Sequence, residues 1–276
     1  MPEISSAVRE MRLSWMRPDG EPIMDAIELW RHMLEIACGF YYRWNPTPPP
    51  EWRAARKTYA KAVRAVLKHN QRGLDSESQV RRAIIEGHYP EHVSALQQWQ
   101  QVAPTFKPNT EAVWVSDRML KRCAEWMESE RGIVWVQHVE FGKDLARLTG
   151  TAFYQRGGVN QWGKPIEDQP PGTPMILSLA SNSEGRNLQA WNSNLFTYFP
   201  TSGAQAEQCL GRTHREGQQA DEVNVTLLVS LREQAEAFER ARSDAAAITH
   251  TTGQEQKLTY ADIDVIASRD APSGLE

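Results

Sequence analysis

Short β-rich runs alternate with amphipathic helical segments over the second part of the chain, and this alternation constrains the fold more than any other feature. The β-rich runs are residues 113–115, 133–137, 152–154, 175–179, 194–199 and 223–229. Helical periodicity marks residues 117–130, 141–149, 204–210 and 231–241. Strands separated by helices at this spacing predict a parallel sheet with helices on both faces. We therefore predict an α/β fold for this part of the chain.

The first part of the chain predicts helices only. Apolar residues at helical spacing cover residues 25–40, 51–72, 76–86 and 92–102. The proline-rich run 45–50 cannot continue a helix and separates the first two segments. We expect three parts, which are an all-helical region over residues 1–105, an α/β lobe over residues 106–262, and a flexible polar tail over residues 263–276.

One predicted helix, residues 51–72, is strongly basic. No acidic residue occurs between Trp52 and Arg72. Residues three or four positions apart lie on the same side of a helix, so its cations are expected to form one stripe. The stripe consists of Arg53, Lys57, Lys61, Arg64, Lys68 and Arg72. Two interpretations remain open, namely contact with the phosphates of the DNA backbone and an ordinary solvated face.

Charge and composition narrow the class of protein. Residues 1–110 carry 15 Lys and Arg against 12 Asp and Glu, whereas residues 111–276 carry 16 against 23. A nucleic-acid surface would therefore draw its charge from the first segment. No apolar run is long enough to cross a membrane, no secretory signal is visible, and the three widely spaced cysteines predict reduced thiols. We expect a cytoplasmic protein with no membrane partner.

The segment from Gln208 to Gln218 has the pattern QxxGRxxRxGQ. Arg212 and Arg215 are three residues apart, and we expect both on one helix end with their guanidinium groups facing the same way. Arginine is always charged and presents a planar set of donors, so such a pair suits phosphate oxygens. Upstream lies the segment 183–188, SEGRNL, just after the β-rich run 175–179. Because ligands of open α/β sheets bind beyond the carboxyl ends of the strands, we expect these segments there.

Two patterns resemble the nucleotide-binding motifs that such a site would need. Residues 158–164 have the GxxxxGK spacing of a phosphate-binding loop, but Pro165 stands where Ser or Thr would bind Mg²⁺. A surface loop is the better interpretation. The pair Asp221 and Glu222 imitates the acidic pair of an ATPase, yet it precedes a strand where that pair must follow one. We interpret it as part of a turn.

The order of these motifs resembles the second RecA-like lobe of superfamily-two helicases, specifically the Swi/Snf-type DNA translocases. IVWVQH (133–138) is similar to motif IV, SLASNSEGRNLQ (178–189) to motif V, and QCLGRTHREGQ (208–218) to motif VI. The resemblance is closer still to the phage and prophage type, through ACGFYYRW (37–44), and it covers nearly all of residues 20–262.

The resemblance implies roles for particular residues. Gln208, Arg212 and Arg215 would face the ATP phosphates, with Arg215 as the arginine finger, and Gly185 would lie on the nucleotide side of the cleft. Nucleic-acid contacts would come from Ser178, Arg186 and Asn187, and from the basic helix through Arg53, Lys57, Lys61, Arg64 and Lys68. ATP and Mg²⁺ would be held mainly by a first lobe that carries the P-loop lysine and the acidic pair.

We therefore expect a chain that hydrolyses no ATP by itself. It would act on DNA together with a first RecA-like lobe, supplied by a separate polypeptide or by a longer chain, in the host bacterial cytoplasm if it is encoded by a phage. Translocation along duplex DNA is favoured over strand separation. The alternative is a non-catalytic DNA-binding or regulatory module with a degenerate helicase lobe.

Overall fold

The computed structural model describes residues 2–69, 72–107, 109–183 and 185–267. The chain divides into two compact units, an N-terminal unit, Pro2–Val115, and a C-terminal unit, Ser116–Glu276. One hydrophobic core lies within the N-terminal unit and another within the C-terminal unit. Among the described residues, no helix combines the length and the apolar character that crossing a lipid bilayer requires.

The described part of the N-terminal unit contains the four helices that the sequence predicts and one that it does not, α1 (Pro2–Ser14). The four are α2 (Ala26–Ala37), α3 (Pro50–His69), α4 (Glu77–Ile85) and α5 (Val93–Val102). The core is formed by apolar residues of α3, α4 and α5, among them Tyr59, Val63, Val80 and Leu96. This apolar stripe of α3 packs inward as its helical spacing predicts.

The N-terminal unit also contains a two-stranded sheet that the sequence analysis does not anticipate. β1 (Phe40–Asn45) pairs antiparallel with β2 (Asn109–Trp114), so that Phe40 lies opposite Trp114. The run 113–115, expected at the start of the α/β lobe, therefore belongs to the first unit, and the division falls after Val115 rather than after residue 105. Local periodicity does not reveal this because the paired strands are far apart in the sequence.

The C-terminal unit is a six-stranded, entirely parallel sheet with its connecting helices. Its strands are β3 (Ile133–Val136), β4 (Ala152–Tyr154), β5 (Met175–Ser178), β6 (Ser193–Phe196), β7 (Asn224–Val229) and β8 (Ile263–Ala267). Its helices are α6 (Arg118–Glu130), α7 (Val139–Thr149), α8 (Leu179–Asn182), α9 (Gly203–Leu210), α10 (Arg232–Thr252) and α11 (Lys257–Tyr260). The strand order is β4-β5-β3-β6-β7-β8.

Helices cover both faces of this sheet. On one face Trp135 and Phe196 form a core with Ala206 of α9 and Phe238 of α10. Phe153 points to the opposite face because side chains alternate along β4. There its ring lies directly against Gly142 of α7, where a Cβ atom would overlap it. This is the predicted α/β architecture, a parallel sheet with helices on both faces.

The flexible tail was predicted to begin at residue 263, but the first five of its residues form a strand. Ile263–Ala267 form β8, which pairs with β7 in parallel, Val225 opposite Ile263 and Val229 opposite Ala267. The apolar side chain of Ile263 packs against the core of the C-terminal unit, which explains why the chain is ordered here. Residues 268–276 of the predicted tail, and residues 70 and 71 of the predicted basic helix, lie outside the described residues.

Candidate functional site

Arg212 and Arg215 lie in the turn that follows α9, not on the helix itself. α9 ends at Leu210, and Gly211 is its C-cap. The backbone N–H of Arg212 donates to the carbonyl of Cys209 (3.1 Å), and that of His214 to the carbonyl of Leu210 (3.0 Å). The expectation of two arginines on one helix end is therefore corrected, because the helix stops before both residues.

This turn lies against the segment 186–188, so the structure brings the motif V-like and motif VI-like residues together. The backbone N–H of Leu188 donates to the carbonyl of Arg212 (3.0 Å). The Arg212 Nη1 donates to the carbonyl of Arg186 (3.4 Å). The Arg215 Nη1 donates to the side-chain Oδ1 of Asn187 (2.5 Å). Arg212, Arg215 and Asn187 thus form one group of side chains.

A buried network of hydrogen bonds holds the turn that carries the two arginines. The sequence analysis did not predict this network. Asn194 accepts a hydrogen bond from the Trp135 Nε1 (3.0 Å) and donates from Nδ2 to the Thr213 hydroxyl (3.1 Å). Gln218 donates to the carbonyls of Trp191 (3.0 Å) and Thr213 (3.1 Å). An asparagine within an otherwise apolar strand was the available signal, because a buried amide needs polar partners.

The site lies at the amino ends of the strands, which corrects the expectation of the carboxyl edge for the arginines. Thr213 contacts Asn194, the second residue of β6, and the backbone N–H of Asn224 at the start of β7 donates to the Asn192 carbonyl (2.7 Å). α9 begins after the carboxyl end of β6 and must return to the start of β7, because the two strands are parallel. The turn after α9 therefore lies at the opposite edge.

The candidate residues of the motif V-like segment are divided between the two edges. Ser178 ends β5 at the carboxyl edge, where it is buried and its carbonyl accepts from the Asn182 Nδ2 (3.2 Å). Asn187 contacts Arg215 at the amino edge. Gly185, between them, is exposed and has a positive φ of 70°. Arg186 is engaged in an ion pair with Glu167 (2.8 Å).

The two site arginines differ from Arg186 in their electrostatic surroundings. Arg215 is exposed and Arg212 is half-buried, and the Arg212 Nε donates to the carbonyl of Gln208, itself an exposed residue (3.0 Å). Within the described ranges, neither guanidinium group has a carboxylate within salt-bridge distance. Two positive charges are therefore presented without a neutralising partner from those ranges.

An open cavity of about 780 Å³ adjoins the turn at the amino ends of β7 and β8. Arg215 and His214 line it together with Tyr260. Its volume suits a nucleotide-sized ligand. Five carboxylates also line it, so phosphate groups are favoured beside the Arg215 guanidinium and not across the whole cavity. These carboxylates belong to Glu216, Asp221, Glu222, Asp262 and Asp264.

The loop with phosphate-loop spacing does not form a phosphate cradle. The backbone N–H groups of Trp162 and Lys164 both donate to the Asn160 Oδ1 (3.0 Å each), and that of Gly163 donates to the Asn160 carbonyl (3.0 Å). Donors that are used within the loop cannot converge on a phosphate. Asp221 and Glu222 precede β7, as expected for a turn.

The basic stripe of α3 is divided by its contacts within the N-terminal unit. Arg53 pairs with Glu21 (2.5 Å), and the half-buried Arg64 donates from Nη1 to the Trp15 carbonyl (3.3 Å). Lys57, Lys61 and Lys68 are exposed. Long arginine side chains can turn toward the core while the lysines remain in water. Contacts thus engage two arginines of the predicted stripe, three lysines of α3 remain exposed, and Arg72, also exposed, lies beyond the end of the helix.

Metal-ligating groups and thiols add no second site. No group of three or more His, Cys, Asp or Glu side chains suited to a metal ion occurs in the part of the chain that the structure describes. Cys38, Cys123 and Cys209 are buried and form no disulfide bond within the described residues. Burial and the nearby Glu35 raise the pKa of the Cys38 thiol to about 12, so it is not a reactive thiolate.

Comparisons with known proteins add little to this description. No protein-family model matches the chain, and no curated protein matches it. Among solved structures, the chain is similar to the crystal structure of the C-terminal part of the Fun30 ATPase domain, with 15% sequence identity and a TM-score of 0.38. The similarity covers 86% of this chain and 81% of that chain. A likeness of this degree carries no functional conclusion.

Proposed function

We propose that this chain is the second RecA-like lobe of a two-lobed, DNA-dependent ATPase of the Swi/Snf type that translocates along duplex DNA. The observation that carries the proposal is the pairing of Arg212 and Arg215 with the segment 186–188, through three hydrogen bonds between segments distant in sequence. Arg215 is exposed and Arg212 is half-buried, and within the described ranges neither has a carboxylate at salt-bridge distance. The phage or prophage type remains a prediction from the sequence.

The chemistry assigned to this lobe is the stabilisation of charge. Phosphoryl transfer depends on positioning and on cations that meet the developing negative charge of the phosphates. A first lobe would hold ATP and Mg²⁺ and supply the P-loop lysine and the acidic pair. Arg215 would then act as the arginine finger, with Arg212 and Gln208 beside it. Arg212 is oriented by the Gln208 and Arg186 carbonyls.

The position of the arginines at the amino edge agrees with this division of labour. The carboxyl-edge rule concerns the sheet that holds the ligand. A lobe that completes the site of another lobe can present a different edge, because its arginines need only reach phosphates held elsewhere. Closure of the two lobes on ATP would bring the arginines to the phosphates and move the lobes along the DNA.

Contacts with the DNA backbone are proposed for the lysines of α3 that remain exposed, Lys57, Lys61 and Lys68. Phosphate contacts of this kind are independent of sequence and weaken steeply with salt. Arg53 and Arg64 are held by contacts within their own unit, so we assign them a smaller part than the stripe first predicted. Ser178 is buried, so in this state it offers little surface to a strand.

A specific observation favours the alternative of a non-catalytic DNA-binding module. The hydrogen bonds of Arg212 and Arg215 tie two loops of the same unit together, which is also what two structural arginines would do. In that case both side chains would stabilise the lobe and never meet a nucleotide. The two functions differ in what the loss of one guanidinium group does to ATP hydrolysis.

The test combines this chain with a polypeptide that carries a P-loop and an acidic pair and is encoded beside it. DNA-stimulated ATP hydrolysis is measured for the wild type, for Arg215→Ala and for Arg232→Ala, an exposed arginine at the start of α10. The Arg215→Ala variant should lose roughly three orders of magnitude in rate, in line with other arginine fingers. Arg232→Ala should leave the rate unchanged.

An Arg215→Ala variant as fast as the wild type, or a combination with no ATPase activity, would exclude the motor and leave the DNA-binding module. DNA affinity, measured in parallel, should be the same for Arg215→Ala and the wild type. Hydrolysis by the purified chain alone, with the same rate after Arg215→Ala, would also overturn the proposal.

A further inference from the structure

The loop 155–165, which has the spacing of a phosphate-binding loop but uses its donors internally, carries an exposed tryptophan. The Trp162 side chain is 59% exposed. Single exposed apolar residues are common on protein surfaces, so exposure alone indicates nothing. The way the loop holds this indole, and the charges beside it, distinguish Trp162 from the other exposed apolar side chains.

The tip of the loop is closed around one side chain. The Asn160 Oδ1 accepts from the backbone N–H groups of Trp162 and Lys164, at 3.0 Å each. The Asn160 N–H donates to the Lys164 carbonyl (2.9 Å), and Val159 forms an isolated β-bridge with Pro165. A loop with this many internal bonds keeps its shape without a ligand, so binding through it loses little conformational entropy.

The same loop is attached to β4, which is an edge strand of the sheet. The Gln161 Oε1 accepts from the Phe153 N–H (2.8 Å), and its Nε2 donates to the Thr151 carbonyl (2.9 Å). These bonds cover backbone groups that an edge strand leaves open. Protection of the sheet edge explains why Gln161 and Asn160 occur in this loop. It does not explain why the Trp162 indole is exposed to solvent.

The charged residues of the loop are all positive. Arg156 precedes Trp162 and Lys164 follows it in the sequence, both are exposed, and the segment 155–165 contains no acidic residue. The next carboxylate along the chain, Glu167, is paired with Arg186 at 2.8 Å, and Asp168 after it is exposed. An exposed aromatic ring on a loop that carries only positive charges suits a base with its flanking phosphates.

The location of the loop supports the same partner. Gly158, near its beginning, has a φ of 69° and lies directly under the guanidinium group of Arg186, which a Cβ atom would overlap. Arg186 belongs to the motif V-like segment, and its carbonyl accepts a hydrogen bond from Arg212. The exposed loop therefore borders the segment for which nucleic-acid contacts are predicted.

We propose that Trp162, Arg156 and Lys164 form a contact for single-stranded nucleic acid, in which the indole stacks on an unpaired base and the two cations meet the flanking phosphates. The proposal rests on the proposed function and goes beyond it, because it adds an unpaired strand to the duplex as a ligand of this lobe. Stacking on an aromatic side chain tolerates any base, so the contact does not depend on sequence.

The test uses the full chain and two labelled DNA probes of roughly 20 nucleotides, longer than a single binding site of this kind, one a poly-dT strand and one a blunt duplex. Fluorescence anisotropy at low salt gives the dissociation constants for the wild type, Trp162→Ala, Trp162→Phe and Leu148→Ala. Leu148 is the control because it is a similarly exposed apolar residue of the same unit, at 55%.

Trp162→Ala should weaken binding of the single strand by roughly five- to one-hundred-fold, the range found for loss of one stacked base. Trp162→Phe should retain most of the affinity because it keeps an aromatic face. Leu148→Ala should match the wild type, and the affinity of the blunt duplex should change less than about twofold. Circular dichroism checks that each variant is folded.

Several results would overturn the inference, and they separate it from the proposed function. Equal affinity of Trp162→Ala and the wild type for the single strand removes the stacking contact and leaves the duplex translocase untouched. An equal loss for strand and duplex assigns the effect to phosphate contacts alone. A wild-type chain that binds neither probe overturns both proposals. Unchanged DNA binding with lost association of the first-lobe polypeptide assigns the indole to a protein contact.

Discussion

The two arginines of the site differ in how firmly their own lobe holds them. The Arg212 guanidinium donates to two main-chain carbonyls, those of Gln208 and Arg186. Arg215 donates to the side chain of Asn187, which is itself exposed. A single hydrogen bond to an exposed amide exchanges readily for one to a phosphate, because the net free energy of such a bond is about 1 kcal/mol. Arg215 is therefore the arginine that can leave its present partner.

Asn194 links Trp135 of β3 to Thr213 in the turn that carries the arginines, and it allows a prediction. Asn194→Ala would leave the buried Trp135 N–H and the Thr213 hydroxyl without their present partner. We expect a loss of about 2–3 kcal/mol in the free energy of unfolding of the C-terminal unit, because two buried polar groups become unsatisfied. Urea unfolding followed by circular dichroism measures it.

The matched control is Asn192→Ala, the same substitution two residues earlier. Asn192 is exposed, and its side chain makes only a 3.5 Å contact with the Glu222 carbonyl. Its unfolding free energy should change by less than about 0.5 kcal/mol. A loss of the same size in both variants would show that the buried network contributes little.

At the scale of elements, α2 and α3 are joined by a group of buried charges. Glu28 of α2 pairs with Arg56 of α3 (2.9 Å) and lies 3.8 Å from His32, which contacts Glu35 at 2.9 Å. Burial opposes ionisation of Glu28, but His32 and Arg56 together lower its pKa from 4.5 to about 2. Burial also opposes the charged form of His32, yet the two carboxylates raise its pKa above 6.5.

These shifts predict that the N-terminal unit loses stability at both ends of the pH range. The Glu28 contribution is complete above pH 4.5 and disappears as the pH falls toward 2, because its pKa is lower in the folded state. The His32 contribution is complete below pH 6.5 and disappears as the pH rises through the higher folded pKa. The loss from Glu28 should be on the order of 2–3 kcal/mol.

Urea unfolding at a series of pH values checks this prediction. His32→Gln should remove the decrease on the alkaline side. His88→Gln is the control, because His88 is a partly exposed histidine outside α2 and α3. This variant should keep the decrease in stability on the alkaline side. A decrease on the alkaline side that persists in His32→Gln would show that another group causes it.

At the scale of the whole molecule, each of the two compact units has a hydrophobic core of its own. We predict two unfolding transitions, because each unit buries its own apolar residues. Trp52→Ala removes a buried indole from the N-terminal unit and should lower the free energy of unfolding of that unit by about 3–5 kcal/mol. It should therefore lower only one of the two transition temperatures. Asn194→Ala should lower only the other.

Differential scanning calorimetry resolves the two midpoints, and Leu148→Ala, an exposed truncation in the C-terminal unit, should shift neither. One transition that both Trp52→Ala and Asn194→Ala lower would show that the units unfold as a single cooperative body. The proposed motor is compatible with either result, so this experiment tests the division of the chain and not its function.

Elements with a strong local signal were predictable from the sequence. The runs 133–137, 175–179 and 223–229 form buried parallel strands near the predicted positions, because strands covered on both faces are continuously apolar. The pairing of β1 with β2 was not predictable, since it joins residues far apart in sequence. β8 was missed because the alternation IDVIA is short and polar at one position.

By itself, the sequence determined the α/β class of the C-terminal unit and four helices of the N-terminal unit, because residue type and periodicity act locally. The assignment of Arg212 and Arg215 to phosphate contact stays a prediction. The tertiary structure decided which edge of the sheet carries Arg212 and Arg215, which of the α3 cations remain in solvent, and where Trp162 is presented. Those outcomes depend on contacts between residues distant in the chain, such as Arg215 with Asn187 and Arg53 with Glu21.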